Sequence, residues 1–262
     1  KSGSGTYSAI ANGIRYAADH GAKVINMSLG GSTGSETLRS ALEYAYLKGV
    51  TIIAAAGNES AGTVIYPAAY DDYVIAVGAT RYDKNLAPYS NYGTALDVVA
   101  PGGDTAVDQN GDGNVDGILQ NTFNPSTKNP TAFGYYFFQG TSMATPHVAG
   151  VAALLIAHGN VSGPAEVQRA LQETALDLGT TGRDDRFGYG LIDAYAALQW
   201  SATPVVNNPP VANDQLVETN KETPVAIVLT GSDVDGDVLS YELLGAPARG
   251  SLQCQTNGQV TY

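Results

Sequence analysis

A serine stands where a glycine-led turn runs into a small-residue apolar helix, in the segment 140–155. A hydroxyl at a helix N-terminus lies beside unpaired backbone N–H groups and the positive end of the helix dipole, a position that suits a nucleophile. The plainer alternative is that Ser142 only caps the helix, because serine oxygens commonly satisfy those same N–H groups. Pro146 is expected within the first helical turn, where its missing N–H costs little. Residue type and position therefore allow covalent catalysis at Ser142, and a helix cap remains the alternative.

Two apolar stretches upstream end in residues that could serve the same reaction. The stretch 51–56 ends in Gly57 and Asn58, and an Asn at the end of a buried strand can direct its amide N–H at the oxyanion of an acyl transfer. Alone, Gly-Asn is also an ordinary turn signal. The stretch 23–27 is followed by Ser28, Leu29 and Gly30. By themselves, these three residues indicate a strand end and a glycine turn.

Together these segments resemble the subtilisin-like serine proteases, the subtilases. The resemblance rests on Gly-Thr-Ser-Met-Ala-Thr-Pro-His at 140–147, Ala-Ala-Gly-Asn at 55–58 and Ser-Leu-Gly at 28–30. It implies that Ser142 is the nucleophile of a serine endopeptidase and that Asn58 stabilises the oxyanion.

The resemblance also implies how a substrate is held. A peptide would bind as an added strand along Ser28, Leu29 and Gly30. One wall of the primary specificity pocket would consist of three small residues: Ala55, Ala56 and Gly57. His147 is then a residue of the serine motif and not the catalytic base.

The other two triad members are absent from the expected place. A subtilisin-type triad runs Asp, His, Ser along the chain, yet no Asp-Ser/Thr-Gly or His-Gly-Thr-His segment precedes the stretch 51–56. Besides His147, the histidines are His20 and His158, both expected at helix ends. We therefore expect the C-terminal part of a longer protease, inactive alone. In subtilisin, loss of the triad His by itself lowers turnover by about two million-fold.

Helices and strands alternate through the first 200 residues. Apolar periodicity predicts helices over 7–20 and 35–48, one from 142 to about 158, and one from 164. Strands are predicted at four places: 23–28, 50–56, 73–79 and 96–100. This alternation of strands and helices predicts an α/β fold with helices on both faces of a parallel sheet. The resemblance implies that residues 1–200 form a subtilisin-like sheet whose N-terminal part is missing.

The composition changes after residue 200. Residues 201–210 indicate an extended Pro/Asn linker. Residues 211–262 contain only short β runs, predicted at 217–219, 225–229 and 239–243. They resemble the bacterial Ig-like and cadherin-like repeats, which implies a partial all-β module.

Charge and composition exclude several partners. With 25 acidic and 13 basic residues the net charge is −12, which argues against nucleic acid and anionic membranes. The sequence contains no run of 18 apolar residues, so it predicts no membrane-spanning helix. Cys254 is the one cysteine, so no internal disulfide forms. We expect a secreted or surface-attached bacterial monomer that acts on proteins or peptides without a catalytic cofactor. The alternative is a surface adhesion protein that uses a protease-like domain as a scaffold.

One loop has the spacing of a structural calcium site. Residues 108–116 fit D-x-[DN]-x-[DN]-G, in which alternate oxygens converge on a hard cation. The position of the expected bidentate Glu holds Leu119, so a solvated turn remains an open alternative. The triplet Asp233, Asp235 and Asp237 raises the same question more weakly. The candidate ligands are Asp108, Asn110, Asp112 and Asp116.

Overall fold

The computed structural model divides the chain into two compact units, residues 1–202 and 203–262. It describes residues 4–124, 126–127, 129–202, 208–234, 239–242, 244–245, 247–254 and 259–262.

The first unit is built on a parallel sheet. Its elements in chain order are α1 (Tyr7–Asp19), β1 (Val24–Met27), α2 (Glu36–Leu47), β2 (Thr51–Ala55), β3 (Val74–Thr80), β4 (Val98–Pro101), β5 (Ile118–Phe123), β6 (Phe133–Phe138), α3 (Thr141–His158), α4 (Pro164–Glu173) and α5 (Ala194–Gln199). Strands β1 to β4 lie in the order β1-β2-β3-β4 and every neighbouring pair is parallel.

Alternate residues of each central strand face opposite layers. Ile53 of β2 and Val77 of β3 pack on the side of α3 and α4. Ile52 and Val74 face the other side, where α1 and α2 lie. Because both faces are covered, β2 and β3 are buried along their whole length, which explains their continuous apolar sequences. The predicted α/β fold with helices on both faces is confirmed.

Capping side chains and a proline lie at the helix N-termini that the sequence predicts. The side chains of Thr6 and Ser35 cap α1 and α2 by accepting hydrogen bonds from backbone N–H groups three residues on. Proline lies in the first turn of α4.

A two-stranded antiparallel hairpin, β5 and β6, precedes α3 and was not predicted. Its second strand reads Phe-Gly-Tyr-Tyr-Phe-Phe. Aromatic residues on both faces remove the apolar-polar alternation by which a half-buried strand is recognised.

In the residues of the second unit that the structure describes, the regular elements are short strands: β7 (Val211–Ala212), β8 (Ala226–Val228), β9 (Gly231–Ser232), β10 (Gln253–Cys254) and β11 (Gln259–Thr261). They form one sheet of order β10-β11-β8 and a pair β7-β9. The strand predicted at 225–229 is present as β8. Residues 217–219 are not a strand, and neither are the described residues 239–242.

Within the described residues, the structure has no helix with the length and hydropathy that crossing a bilayer requires.

Candidate active site

Three chain segments meet at the carboxyl edge of the sheet. β1 and β2 are parallel neighbours, so the residues that follow them, Ser28 and Asn58, emerge at the same edge. In open α/β sheets this edge is where ligands bind. The N-terminus of α3, which packs across all four parallel strands, lies against both residues.

The carboxamide of Asn58 is fixed by the first residue of α3. The backbone N–H of Thr141 donates to Asn58 Oδ1 at 2.8 Å, and the Thr141 hydroxyl donates to the same oxygen at 3.0 Å. Because only the carbonyl oxygen of a carboxamide can accept these bonds, the Asn58 NH2 group must point away from Thr141. The side chain thus holds a directed amide donor at the start of α3.

Ser142 is the second residue of α3, and its side chain does not cap the helix. The N-cap residue is Gly140, and no side-chain cap hydrogen bond is formed there. The nearest acceptor of the Ser142 hydroxyl is instead the Ser28 carbonyl oxygen, at a long 3.5 Å. Among the described residues, the Ser142 backbone N–H has no acceptor, as expected for the first turn of a helix. Ser142 therefore offers a weakly held hydroxyl next to an available N–H.

Pro146 lies inside α3, one turn further along than the sequence predicts. A proline lacks the N–H that would bond the carbonyl four residues earlier, which here is the carbonyl of Ser142. The Ser28 hydroxyl fills that role and donates to Ser142 O at 2.8 Å. Ser28 thus ties the carboxyl end of β1 to the backbone of Ser142.

A buried asparagine that the sequence did not single out supports the Asn58 loop. Asn91 is 1% exposed, and its Oδ1 accepts the N–H groups of Glu59 and Ala61 at 2.9 and 3.0 Å. Its Nδ2 donates at 2.8 Å to the Glu59 carboxylate, which also accepts the N–H of Asn58. The backbone on both sides of Asn58 is therefore held by one side chain from the loop before β4.

Tyr89 holds the glycine turn in front of Ser142. Its hydroxyl donates to the Gly103 carbonyl at 2.7 Å and accepts from the Gly140 N–H at 3.0 Å. Burial raises the pKa of Tyr89 well above its usual value, so the hydroxyl stays protonated and keeps both roles. Neither Asn91 nor Tyr89 is in a motif, so only their contacts identify them.

The residues assigned to substrate binding fall into two groups. Ser28, Leu29 and Gly30 are exposed. Ala55 and Ala56 are buried, and Ala56 packs against Leu96 and Val99. If this segment lines a pocket, it does so through its backbone.

Ile65 links these two groups. Its N–H bonds the Ala56 carbonyl at 3.0 Å. Its Cδ1 atom lies 2.4 Å from where a Cβ on Gly30 would be, so Gly30 permits a close approach of the two segments. No sequence signal marked Ile65.

Residues 1–190 match the model of the subtilase family, peptidase family S8. The chain belongs to the subtilase family. Residues 207–262 match a bacterial Ig domain. The family and the Ig-like module inferred from the sequence are both confirmed.

Related subtilases match the first unit. Alkaline elastase YaB of Bacillus sp. (strain YaB) is 43% identical over 196 residues, 75% of this chain and 45% of its own. Thermitase of Thermoactinomyces vulgaris is 41% identical over 199 residues, 76% of this chain and 62% of its own. A solved structure of proteases from Pseudoalteromonas arctica PAMC 21717 has a TM-score of 0.65 at 34% identity, over 74% of this chain and 59% of that one. The subtilase chain thus spans about half to two thirds of these relatives.

All three histidines of the subtilase chain lie in the described residues, and none is bonded to Ser142. His147 Nδ1 lies 2.8 Å from the Met143 carbonyl oxygen of its own helix. His20 is the C-cap of α1 and stacks on Tyr16. His158 is the last residue of α3.

The loop at 108–116 is ordered by its own polar side chains. Asp108 accepts the N–H groups of Gly111, Asp112 and Gly113. Asp112 accepts the N–H of Asn114 at 2.8 Å. These are the hydrogen bonds of a solvated Asx turn.

The other candidate ligands leave the calcium prediction open. Asp116 accepts the N–H of Gln109, and Asn110 donates to Asp112 at 3.2 Å. In the part of the chain that the structure describes, no three His, Cys, Asp or Glu side chains are grouped to hold a metal. The calcium site therefore stays a prediction. Asp235 and Asp237 of the weaker candidate lie outside the described residues.

Proposed function

We propose that this subtilase is a serine endopeptidase that hydrolyses peptide bonds in proteins through an acyl-enzyme at Ser142. The observation that carries the proposal is the pair of bonds from Thr141 to Asn58 Oδ1. These bonds turn the Asn58 NH2 group away from Thr141, one residue before the proposed nucleophile. With its oxygen held in this way, the Asn58 NH2 group would be available to donate to an oxyanion formed at Ser142.

The substrate is proposed to lie as an extended strand along Ser28, Leu29 and Gly30. Backbone hydrogen bonds would supply affinity and alternate side chains specificity. The backbone of Ala55, Ala56 and Gly57 would line the primary specificity pocket. Ile65 beside Gly30 would then border the space available to the substrate side chain.

In the first chemical step, Ser142 Oγ attacks the substrate carbonyl carbon. The C–O bond forms as the hydroxyl proton passes to a general base, and the carbonyl oxygen becomes an oxyanion. The Asn58 NH2 group and the Ser142 N–H donate to that oxygen, aided by the positive end of the α3 dipole. The C–N bond then breaks, the amine leaves with the proton, and water hydrolyses the ester in the reverse sequence.

The base is proposed to be a histidine other than His20, His147 and His158. Subtilisin-type chemistry takes its Asp and His from positions before the Ser in the chain. The 262-residue polypeptide is therefore expected to be inactive by itself, and a segment that carries both groups should restore hydrolysis.

We further propose that residues 1–200 form the C-terminal portion of a catalytic domain, joined by a linker at 201–210 to a partial Ig-like module at 211–262. The net charge of −12 and the Ig-like match favour a secreted or surface-attached bacterial monomer. Protein and peptide substrates are the proposed partners.

Structural calcium at Asp108, Asn110, Asp112 and Asp116 is a separate proposal. Calorimetric titration of the chain with CaCl2 would show one saturable site that Asp108→Asn combined with Asp112→Asn removes. Equal heats for the parent and the double variant would leave the loop as a solvated turn.

The catalytic proposal is tested with a chimera in which the thermitase residues that precede its matched segment are fused before Lys1. We refer to this protein as the thermitase chimera. It should hydrolyse casein, and the unfused chain should not. Ser142→Ala should abolish the activity, whereas Ser126→Ala, in an exposed loop, should retain it. A folded chimera whose hydrolysis survives Ser142→Ala would refute the nucleophile assignment. Absence of hydrolysis in a chimera that binds peptides would favour the scaffold alternative.

A further inference from the structure

The β5–β6 hairpin carries an exposed row of side chains that the proposed catalytic steps do not use. Residues two apart on a strand, and residues directly opposite on paired strands, share a face of the sheet. All six side chains of this face are exposed, and those of Phe133 and Tyr135 are 66% and 71% exposed. We refer to them as the hairpin face, which consists of three cross-strand pairs: Leu119 with Phe137, Asn121 with Tyr135, and Phe123 with Phe133.

This face lacks the features that normally protect an exposed strand. Neither β5 nor β6 contains a charged residue or a proline. In the described part of the chain, the sheet has only these two strands, so the outer edge of each is open. Natural proteins usually block such edges with charges, prolines or a covering element, and a contiguous exposed apolar patch marks an interaction site.

The hairpin is attached directly to the nucleophile turn. β6 ends at Phe138, and Ser142 follows four residues later. Between them, Gln139 Oε1 accepts from the N–H and hydroxyl of Thr105 at 2.6 and 2.7 Å, and the Gly140 N–H donates to Gly102 O at 3.0 Å. The base of the hairpin is thus fixed relative to Ser142.

Chain length bounds the distance of the hairpin face from Ser142. A fully extended chain spans at most about 3.6 Å per residue, so Phe137 lies within about 18 Å and Phe133 within about 32 Å of Ser142. A substrate of about nine extended residues reaches from Ser142 to the far end of the face.

We propose that the hairpin face is a substrate exosite that binds an extended segment with apolar or aromatic side chains at alternate positions. This inference rests on the proposed protease function. An extended peptide added to an open edge of the hairpin places every second side chain on this face. Leu119, Asn121 and Phe123 follow one another along β5 at the same two-residue spacing. The lack of charge on both strands selects an uncharged segment.

The test measures peptide binding by the full 262-residue chain, with fluorescein-labelled Gly/Ser dodecapeptides as probes. One probe has Phe at three alternate positions, and a probe of equal composition has the three Phe residues three positions apart. The alternate probe should bind at least about five-fold more tightly. Phe133→Ser combined with Tyr135→Ser should weaken its binding at least about ten-fold, while Tyr16→Ser, 66% exposed on α1, should not change it.

Two further measurements separate loss of the exosite from loss of the fold. Because the substituted side chains are exposed, the thermal transition of the double variant should match that of the parent. A probe with p-benzoylphenylalanine at the central position should cross-link within residues 118–138 on irradiation. Unchanged affinity in the folded double variant, or cross-links elsewhere, would overturn the exosite. So would self-association of the parent that the double variant loses without any peptide binding, because a second copy would then cover the face.

Peptide binding at the hairpin face and hydrolysis at Ser142 can be tested separately. Peptide binding needs neither the Ser142 hydroxyl nor a base, so Ser142→Ala should bind the alternate probe as the parent does. Loss of hydrolysis in the thermitase chimera on Ser142→Ala, with peptide binding by the 262-residue chain retained in the same variant, supports both proposals. Hydrolysis by the chimera that depends on Ser142, without peptide binding that depends on the hairpin face, overturns only the exosite.

Discussion

Ser28 and Ser142 contact each other reciprocally across the candidate cleft. The Ser28 hydroxyl donates to the Ser142 carbonyl at 2.8 Å, and the Ser142 hydroxyl lies 3.5 Å from the Ser28 carbonyl. The strand that is proposed to bind substrate is therefore joined to the residue that is proposed to react with it. Because Pro146 leaves the Ser142 carbonyl without its helical partner, the Ser28 hydroxyl supplies a hydrogen bond that the helix does not.

We predict that Ser28→Ala lowers kcat of the thermitase chimera by roughly five- to ten-fold. The variant removes one hydrogen bond of about 1 kcal/mol and leaves the Ser142 carbonyl unpaired, which shifts the nucleophile. Steady-state kinetics on a chromogenic peptide would measure the change. Ser28→Thr, which keeps the hydroxyl, should recover most of the activity. Equal losses in both variants would mean that the hydroxyl of Ser28 is not what positions Ser142.

We predict that Thr141→Val lowers kcat of the chimera about ten-fold with little change in KM. The side chain is fully buried, and its hydroxyl bonds Gly57 as well as Asn58. Valine keeps the shape but removes these bonds, so the Asn58 amide is less firmly directed in the transition state, at a cost of about 1–1.5 kcal/mol. Thr141→Ser is the matched control and should stay within about two-fold of the parent. A rise in KM alone would point to substrate binding instead.

We predict that Asn91→Ala lowers the free energy of unfolding by about 2–4 kcal/mol. The substitution removes the acceptor of the part-buried N–H groups of Glu59 and Ala61, at a cost of about 1–2 kcal/mol each. Urea denaturation followed by circular dichroism measures the change. Asn121→Ala, at an exposed position, should cost less than about 0.5 kcal/mol. Similar midpoints for the two variants would rule out Asn91 as the support of the Asn58 loop.

We predict a pH-dependent contribution to stability from Asp97. Burial raises its pKa from 3.8 to about 6, although its carboxylate accepts hydrogen bonds from the Ala76 N–H and from the Gln168 and Gln172 amides. Because the folded state binds the proton more tightly, this contribution is fully present below about pH 4 and is lost as the pH rises to about 6. Its size is about 3 kcal/mol for a shift of about two pKa units.

The measurement for Asp97 is the difference in unfolding free energy between the parent and Asp97→Asn from pH 4 to pH 7. Taking this difference cancels the contributions of the other carboxyl groups to the unfolding free energy. Glu173 and Asp184 have lowered pKa values, so their contributions change with pH in the opposite direction. Relative to Asp97→Asn, the parent should lose stability between pH 4 and 6. A difference that is constant across this range would mean that Asp97 stays ionised in the folded state.

The sequence predicted the central sheet because burial of both faces requires continuous apolar strands such as Val74–Thr80. It also marked Ser142 and Asn58, since the glycine turns and apolar runs around them are local signals. Thr141 and Asn91 were missed because their roles depend on partners far away in the chain. The hairpin was missed because aromatic residues occupy both faces of β6. In addition, no local signal indicates that β6 pairs with Ile118–Phe123.

Locating a fluorophosphonate adduct on the thermitase chimera by mass spectrometry tests most directly whether Ser142 is the nucleophile. We predict one adduct, on Ser142, with a labelling rate that Asn58→Leu lowers strongly. Removing one oxyanion donor lowers turnover by about 100- to 1,000-fold in subtilisin, the reference case for this effect. An adduct on another serine would refute Ser142 as the nucleophile, and labelling of Ser142 at an equal rate in Asn58→Leu would refute Asn58 as the oxyanion donor.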